Sequence, residues 1–178
     1  LGYHELWEQR VATHRHIVVL GLGYVGLTIA LVLAEEGFLV TGVDADDEKI
    51  DELNSGGSYI HEKGIEELLN SHLKSNFVPT CTIPNEGDVF IIAVGTPVVL
   101  NSESGKTEPV LDYIKEIAKQ VGKKLNTGNL VILRSTVPTG LTRNVVLPLL
   151  EEYSEMKCGK DFHLVFAPER TAEGKALK

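Results

Sequence analysis

Three glycines near the start of the chain, Gly21, Gly23 and Gly26, follow the pattern G-x-G-x-x-G directly after the β-branched run Ile17-Val18-Val19. Such a run favours a buried strand, and the apolar residues after Gly26 have helical spacing. In a strand, turn and helix of this kind, the first glycine permits the tight turn and the second lets a pyrophosphate approach the backbone. The third allows the helix to pack closely on the strand. The pattern predicts a dinucleotide-binding turn, and a glycine-rich turn without a ligand is the alternative.

A carboxylate lies at the distance along the chain that such a turn requires. Asp44 ends the second predicted strand, 23 residues after Gly21, where it can accept hydrogen bonds from both hydroxyls of an adenine ribose. It would also repel a 2′-phosphate, which favours NAD over NADP. Tyr24 and Val25 would contact the phosphates through their backbone at the start of the helix. Lys49 can reach the ribose or a phosphate, or be solvated, and helix capping is the alternative role for Asp44.

The composition limits the partners that the chain can bind. With 17 basic and 25 acidic residues the net charge is -8, which opposes binding to nucleic acid and anionic membranes. Cys81 and Cys158 match no metal or redox spacing, so we predict a reducing cytoplasm and no metal. The uncharged run Ile17 to Ala34 approaches the length of a membrane helix, but its three glycines argue against one.

Continuously apolar strands alternate with helical patterns along the whole chain, which indicates a parallel sheet covered on both faces. Strands are predicted at residues 17–19, 38–44, 80–83, 88–95, 129–136 and 163–167. Helices are predicted after Gly26 and at residues 47–54, 65–73, 111–125 and 141–153, and residues 98–108 as a loop. The sequence therefore predicts a Rossmann-type, doubly wound α/β domain over residues 16–178, preceded by an arm of residues 1–15.

Further motifs follow the later strands, and they resemble one family. AVGTP, RSTVPTG and APERTAEG lie after the last three strands, and GLGYVGL and GVD precede them. Together they resemble the N-terminal NAD-binding domain of the UDP-glucose/GDP-mannose dehydrogenase family. The PERTAEG form is most similar to the branch that oxidises UDP-N-acetyl amino sugars, such as UDP-N-acetylmannosamine dehydrogenase.

The resemblance implies oxidation of the C6 alcohol of a UDP-sugar to a carboxylate, with two NAD. It implies that Thr136 lies near the nicotinamide and orders a water, and that Glu169 contacts substrate and acts in acid/base chemistry. A carboxylate at a strand end suits that role, because loss of a hydride from an alcohol requires a base. The remaining positions that the resemblance assigns are Thr96, Pro97, Ser135 and Glu173 at the cofactor, and Arg170 and Thr171 at the sugar nucleotide.

Less specific readings of these motifs stay open on the residues alone. Ser135 or Thr136 could serve only as a helix cap with Pro138 in the first turn, but capping and a cofactor contact are compatible and we expect both. Glu169 and Arg170 could form an exposed ion pair of little energetic value. A 3-hydroxyacid or 6-phosphogluconate type dehydrogenase, or an NAD-sensing module without catalysis, would share the opening of the fold.

The chain also departs from the family that it resembles. The family uses a cysteine in a glycine-rich motif, with a lysine and an asparagine, and these motifs are not in this sequence. Cys158 precedes PERTAEG and lacks that setting. We therefore expect the cofactor domain of a longer, homo-oligomeric enzyme, inactive alone.

Overall fold

The computed structural model describes residues 15–100 and 107–169. Arg170, Thr171 and Glu173, three predicted site residues, lie outside these ranges. In chain order the strands are β1 (His16–Leu20), β2 (Leu39–Val43), β3 (Phe77–Thr80), β4 (Val89–Ile92), β5 (Val98–Leu100), β6 (Thr107–Pro109), β7 (Leu130–Leu133) and β8 (His163–Phe166). The helices are α1 (Tyr24–Glu35), α2 (Asp47–Asn54), α3 (Ile65–His72), α4 (Asp112–Gly122), a π-helix (Thr142–Val146) and α5 (Leu147–Ser154).

Six strands form one parallel sheet in the order β3-β2-β1-β4-β7-β8. The chain moves outward from β1 through β2 to β3, then crosses back and continues on the other side from β4. Strand order reverses between β1 and β4, and open α/β sheets bind ligands at the carboxyl ends of the strands at such a point. The predicted doubly wound Rossmann fold is confirmed.

Both faces of the sheet are covered, as the unbroken apolar strands predict. All five residues of β1 are buried, with Val18 and Leu20 in the core on one face and Ile17 and Val19 in the core on the other. The first core is completed by α4 and α5, and the second by α1, α2 and α3. The uncharged run Ile17 to Ala34 therefore forms the central strand β1 and most of helix α1. Within the described ranges, no helix has the length and apolar character needed to span a membrane.

Three predicted elements differ from the structure. The strand predicted at residues 80–83 lies earlier, at β3, because fully buried Phe77 pairs with Val40 of β2. Pro79 is tolerated there because β3 is an edge strand, which needs ladder donors on one side only. Residues 98–108, predicted as a loop, instead contain β5, which pairs with β6 as an antiparallel hairpin. The helix predicted at 141–153 begins as a π-helix and becomes α-helical at Leu147.

Candidate functional site

The glycine turn after β1 needs glycine at two of its three positions for steric reasons. Gly21 has φ +90°, and a Cβ there would lie 2.8 Å from backbone atoms of Val94. A Cβ on Gly26 would lie 1.7 Å from the Gly21 carbonyl oxygen. Gly23 is different, because a Cβ there would meet no atom of the described residues within 4 Å, and the residue is exposed. The turn thus leaves open space over Gly23, which suits close approach of a ligand to the backbone.

Asp44 lies beside this turn at the end of β2. Its Oδ2 accepts a hydrogen bond from Leu22 N–H at 2.7 Å, and its Oδ1 accepts one from Asp46 N–H at 3.1 Å. The Lys49 ammonium lies 3.8 Å from Oδ1. The side chain that caps α2 is Asp46, which accepts from the backbone N–H of Lys49 and its neighbour Glu48. Asp44 is therefore not the cap, and its carboxylate is fixed at the mouth of the glycine turn.

A cleft of about 560 Å³ opens at this edge of the sheet. Its lining includes predicted site residues that follow three strands, and one from helix α2: Gly21, Gly23, Asp44 and Pro97, with Lys49. Its walls include apolar side chains from α4 and from the segments after β3 and β4, among them Ile83, Val94 and Ile117. An apolar slot with a carboxylate and an exposed glycine backbone at one side suits a flat ring attached to a ribose and phosphates.

Cys81 lines the same cleft and is exposed. Its Sγ donates a hydrogen bond to Asp47 Oδ1 at 2.9 Å. That bond, reinforced by the neighbouring carboxylates, raises the pKa of the thiol to about 11. Cys81 therefore stays a protonated, weakly nucleophilic thiol at neutral pH.

The ends of β4 and β7 are bonded to each other through the predicted threonine and serine. Thr96 Oγ1 donates to the Thr136 carbonyl oxygen at 2.8 Å. Buried Ser135 donates through Oγ to the Val94 carbonyl oxygen at 2.7 Å, and the Thr136 side chain is exposed. The predicted helix cap at Ser135 or Thr136 is wrong, because the next helix begins only at Thr142 and the Ser135 hydroxyl satisfies a strand-end carbonyl instead.

Glu169 lies in a separate, smaller cavity of about 160 Å³, which it lines with Tyr24, Val25 and Arg134. The Arg134 guanidinium forms an ion pair with the Glu169 carboxylate and donates to the Ala167 carbonyl oxygen at 3.3 Å. The Nε of Arg134 is buried and has no hydrogen-bond partner among residues 15–100 and 107–169. The structure thus places Tyr24 and Val25 with Glu169 in a cavity that shares no lining residue with the cleft at Asp44.

Sequence reasoning missed two residues that organise this region. Arg134 is the first residue of the RSTVPTG motif, but we assigned it no role; its position directly after a buried strand was the available signal. Tyr59 donates from its hydroxyl to the Leu22 carbonyl oxygen at 2.6 Å. Its loop segment, SYIHEKG, gave no pattern from which that contact could be predicted.

Comparison with known proteins supplies independent information. Residues 15–178 match the profile of the UDP-glucose/GDP-mannose dehydrogenase family, NAD binding domain. The chain is 37% identical over 168 residues to UDP-N-acetyl-D-mannosamine dehydrogenase of Campylobacter jejuni, covering 91% of this chain and 40% of that protein. It is 40% identical over 169 residues to GDP-mannose 6-dehydrogenase of Azotobacter vinelandii, covering 91% and 38%.

A solved structure agrees with the sequence relatives. UDP-D-ManNAc dehydrogenase from Pyrococcus horikoshii superposes with a TM-score of 0.81 at 36% identity, covering 89% of this chain and 37% of that one. The chain therefore spans about two fifths of the length of the relatives that it matches.

Proposed function

Because the chain belongs to the UDP-glucose/GDP-mannose dehydrogenase family, whose NAD-binding domain it matches over residues 15–178, we propose that it is the cofactor-binding part of a nucleotide-sugar 6-dehydrogenase. The cofactor is NAD. The proposed reaction converts the C6 alcohol of a UDP-sugar, UDP-N-acetylmannosamine or a related UDP-N-acetyl amino sugar, to a carboxylate with two NAD. The single observation that carries the proposal is the cleft in which the open backbone at Gly23 lies beside the fixed carboxylate of Asp44.

The residues of the cleft fit a dinucleotide with its adenosine toward Asp44. The Asp44 carboxylate would accept the ribose hydroxyls, and Lys49 beside it would contact the same ribose or a phosphate. The turn at Gly21, Gly23 and Gly26 would leave room for the pyrophosphate at the start of α1. Bound NAD supplies a hydride acceptor.

The reactive end of the site is assigned to Thr136 and Glu169, with Thr96, Pro97 and Ser135 forming the cofactor surface at the ends of β4 and β7. In the first oxidation the Glu169 carboxylate takes the proton of the C6 hydroxyl, directly or through a water that Thr136 orders, while the C6 hydride leaves. An aldehyde results. Arg170 and Thr171 would bind the sugar nucleotide, and Glu173 would contact the cofactor again.

The chain alone is proposed to be inactive. The family resemblance implies that the second oxidation passes through a cysteine thiohemiacetal, and neither cysteine here fits that role. Cys81 is hydrogen-bonded to Asp47 as a neutral thiol, and Cys158 precedes the PERTAEG motif without the glycine-rich setting of the family's cysteine. We further propose that the whole enzyme is a cytoplasmic homo-oligomer without a nucleic-acid or membrane partner.

The test is a calorimetric titration of the chain with NAD and, in parallel, NADP. Saturable binding that prefers NAD is expected, and a folded chain that binds neither would refute the proposed cofactor role. NADH absorbance with UDP-N-acetylmannosamine then tests inactivity, and turnover by the chain alone would show that it contains its own nucleophile.

GDP-mannose is the second candidate substrate, favoured by the identity of 40% to the Azotobacter vinelandii enzyme. A version of the protein that includes the downstream family motifs can separate the two substrates. Uronate formation from UDP-N-acetylmannosamine and not from GDP-mannose is the expected result.

A further inference from the structure

The loop between α2 and α3, residues 55–64, contacts the glycine turn through two tyrosine hydroxyls. Tyr59 of the loop donates to the Leu22 carbonyl oxygen at 2.6 Å. In the opposite direction, Tyr24 at the start of α1 donates to a carboxylate oxygen of Glu62. The loop is therefore hydrogen-bonded to both sides of Gly23.

Leu22 is held through both of its polar backbone groups. Its N–H donates to Asp44 Oδ2 at 2.7 Å, and its carbonyl oxygen accepts from Tyr59. Its side chain is fully buried in the core. The Leu22 carbonyl and the Gly23 N–H belong to one peptide plane, so the Tyr59 hydroxyl fixes the direction in which the Gly23 N–H points.

The ring of Tyr59 makes a second contact that leads to the cleft. The Lys49 ammonium lies 5.7 Å from the ring centroid, within the range of a cation–π interaction. The same ammonium lies 3.8 Å from Asp44 Oδ1. Tyr59 is half-buried, and burial together with the carboxylates of Asp44, Asp46 and Glu52 raises the pKa of its hydroxyl, which therefore remains a donor at physiological pH.

We propose that Tyr59 is a positioning residue for the dinucleotide, acting through two groups that face it. The hydroxyl orients the Leu22–Gly23 peptide beneath the pyrophosphate. The ring holds the Lys49 ammonium beside the Asp44 carboxylate, which is proposed to bind the ribose. Tyr59 itself acts without touching the ligand. The inference rests on the proposed NAD-binding role of the cleft and adds a residue from outside its lining.

The two functions of Tyr59 can be separated by substitution. Tyr59→Phe removes the hydroxyl and keeps the ring, so the dissociation constant for NAD should rise about three- to tenfold, the value of one hydrogen bond. Tyr59→Leu removes both groups and should weaken NAD binding further. Tyr153→Phe is the matched control, because Tyr153 lies on α5 and its ring centroid is 5.4 Å from the Lys123 ammonium. The NAD affinity of this variant should equal that of the parent.

A double-mutant cycle with Lys49→Met tests whether the ring acts through Lys49. Tyr59→Leu and Lys49→Met should be non-additive in NAD affinity, whereas Tyr59→Phe and Lys49→Met should be additive. A purely structural role for Tyr59 would weaken binding without this pattern. Additivity of Tyr59→Leu with Lys49→Met would overturn the role of the ring.

A readout without NAD keeps this inference distinct from the proposed function. In ligand-free protein, loss of the hydrogen bond to the Leu22 carbonyl should shift the amide ¹⁵N resonance of Gly23 in Tyr59→Phe and leave it unchanged in Tyr153→Phe. An unshifted Gly23 resonance would overturn the inference, and so would an unchanged NAD affinity in Tyr59→Phe when the parent chain binds NAD. Failure of the parent chain to bind NAD would instead refute the proposed function, with the Gly23 resonance still deciding whether Tyr59 orients the turn.

Discussion

The two ends of the candidate site are built in different ways. At the adenosine end, Gly23, Asp44 and Lys49 come from one short stretch of chain that contains β1, α1, β2 and α2, and Asp44 is fixed by two backbone N–H groups. At the reactive end, Thr96, Thr136 and Glu169 follow three different strands. The hydrogen bonds at this end join the end of one strand to the end of another, as between the Thr96 hydroxyl and the Thr136 carbonyl oxygen.

In the proposed function, this difference separates the residues assigned to cofactor binding from those assigned to catalysis. The residues proposed for the adenosine end come from the first half of the domain, and all of them lie within the described ranges. The reactive end depends on the last strands, and three of its predicted members, Arg170, Thr171 and Glu173, lie outside the described ranges. Changes at the adenosine end should therefore alter NAD affinity strongly, and changes at the reactive end should alter it little.

The largest effect is expected from Gly26→Ala. The added Cβ would lie 1.7 Å from the Gly21 carbonyl oxygen, so α1 must move away from β1. We expect a loss of about 3 kcal/mol or more in the free energy of unfolding, measured by urea denaturation. A variant as stable as the parent would show that the turn yields more readily than its geometry indicates.

Gly23→Ala should break binding without breaking the fold. Within the described part of the chain the added Cβ has no neighbour within 4 Å, and the backbone of Gly23 is extended with φ -62°. The free energy of unfolding should therefore change by less than about 1 kcal/mol. The methyl group would occupy the space over the turn, and NAD affinity should fall at least about tenfold. Urea denaturation measures the change in stability, and calorimetry measures the fall in NAD affinity.

Asp44→Asn sharpens the comparison at the ribose. The amide keeps one acceptor but loses the charge, so NAD affinity should fall about tenfold, equivalent to about 1.4 kcal/mol. The preference for NAD over NADP should narrow, because repulsion of a 2′-phosphate is lost. Retention of the parent NAD to NADP ratio would show that Asp44 does not determine cofactor choice.

Lowering the pH should destabilise the fold through His16, which lies outside both ends of the candidate site. His16 is buried at the start of β1, with Nε2 2.8 Å from Thr41 Oγ1. Burial lowers its pKa, and Asp88 and Glu86 oppose that shift only in part. The unfolded chain therefore binds the proton more readily, so the His16 contribution to stability is full above about pH 6.5 and is lost as pH falls below it.

Urea midpoints at pH 7.5 and pH 5 measure this loss, and His16→Gln should reduce its size. His163 on β8 is exposed, so His163→Gln is the matched control and should show the parent dependence on pH. An equal reduction in both variants would exclude His16 as the cause.

The smallest effect is expected from Arg134→Gln at the reactive end. The ion pair with Glu169 is lost, but Asp44 and the glycine turn are untouched, so NAD affinity should stay within about twofold of the parent. A larger loss by calorimetry would show that the two ends are coupled.

The sequence predicted the structure best where the backbone of a short segment requires a particular residue type. The continuously apolar β1 and the glycine spacing predicted the central strand and its turn, because both reflect the backbone of a short segment. Arg134 and Tyr59 were missed because their partners, Glu169 and Leu22, are 35 and 37 residues away along the chain. The predicted position of β3 was wrong for a similar reason, because the position of this strand depends on the pairing of Phe77 with Val40 of β2.

The strand order also bears on how the chain folds. β1 pairs with β2 on one side, but its other partner, β4, lies much further along: Ile17 faces Val89, a separation of 72 residues. Parallel pairings of this range are slow to form, because a long loop must close first. At a synthesis rate of about 5–20 residues per second, the backbone hydrogen-bonding edge of β1 that pairs with β4 stays unpaired for roughly 4 to 14 s after β1 is made.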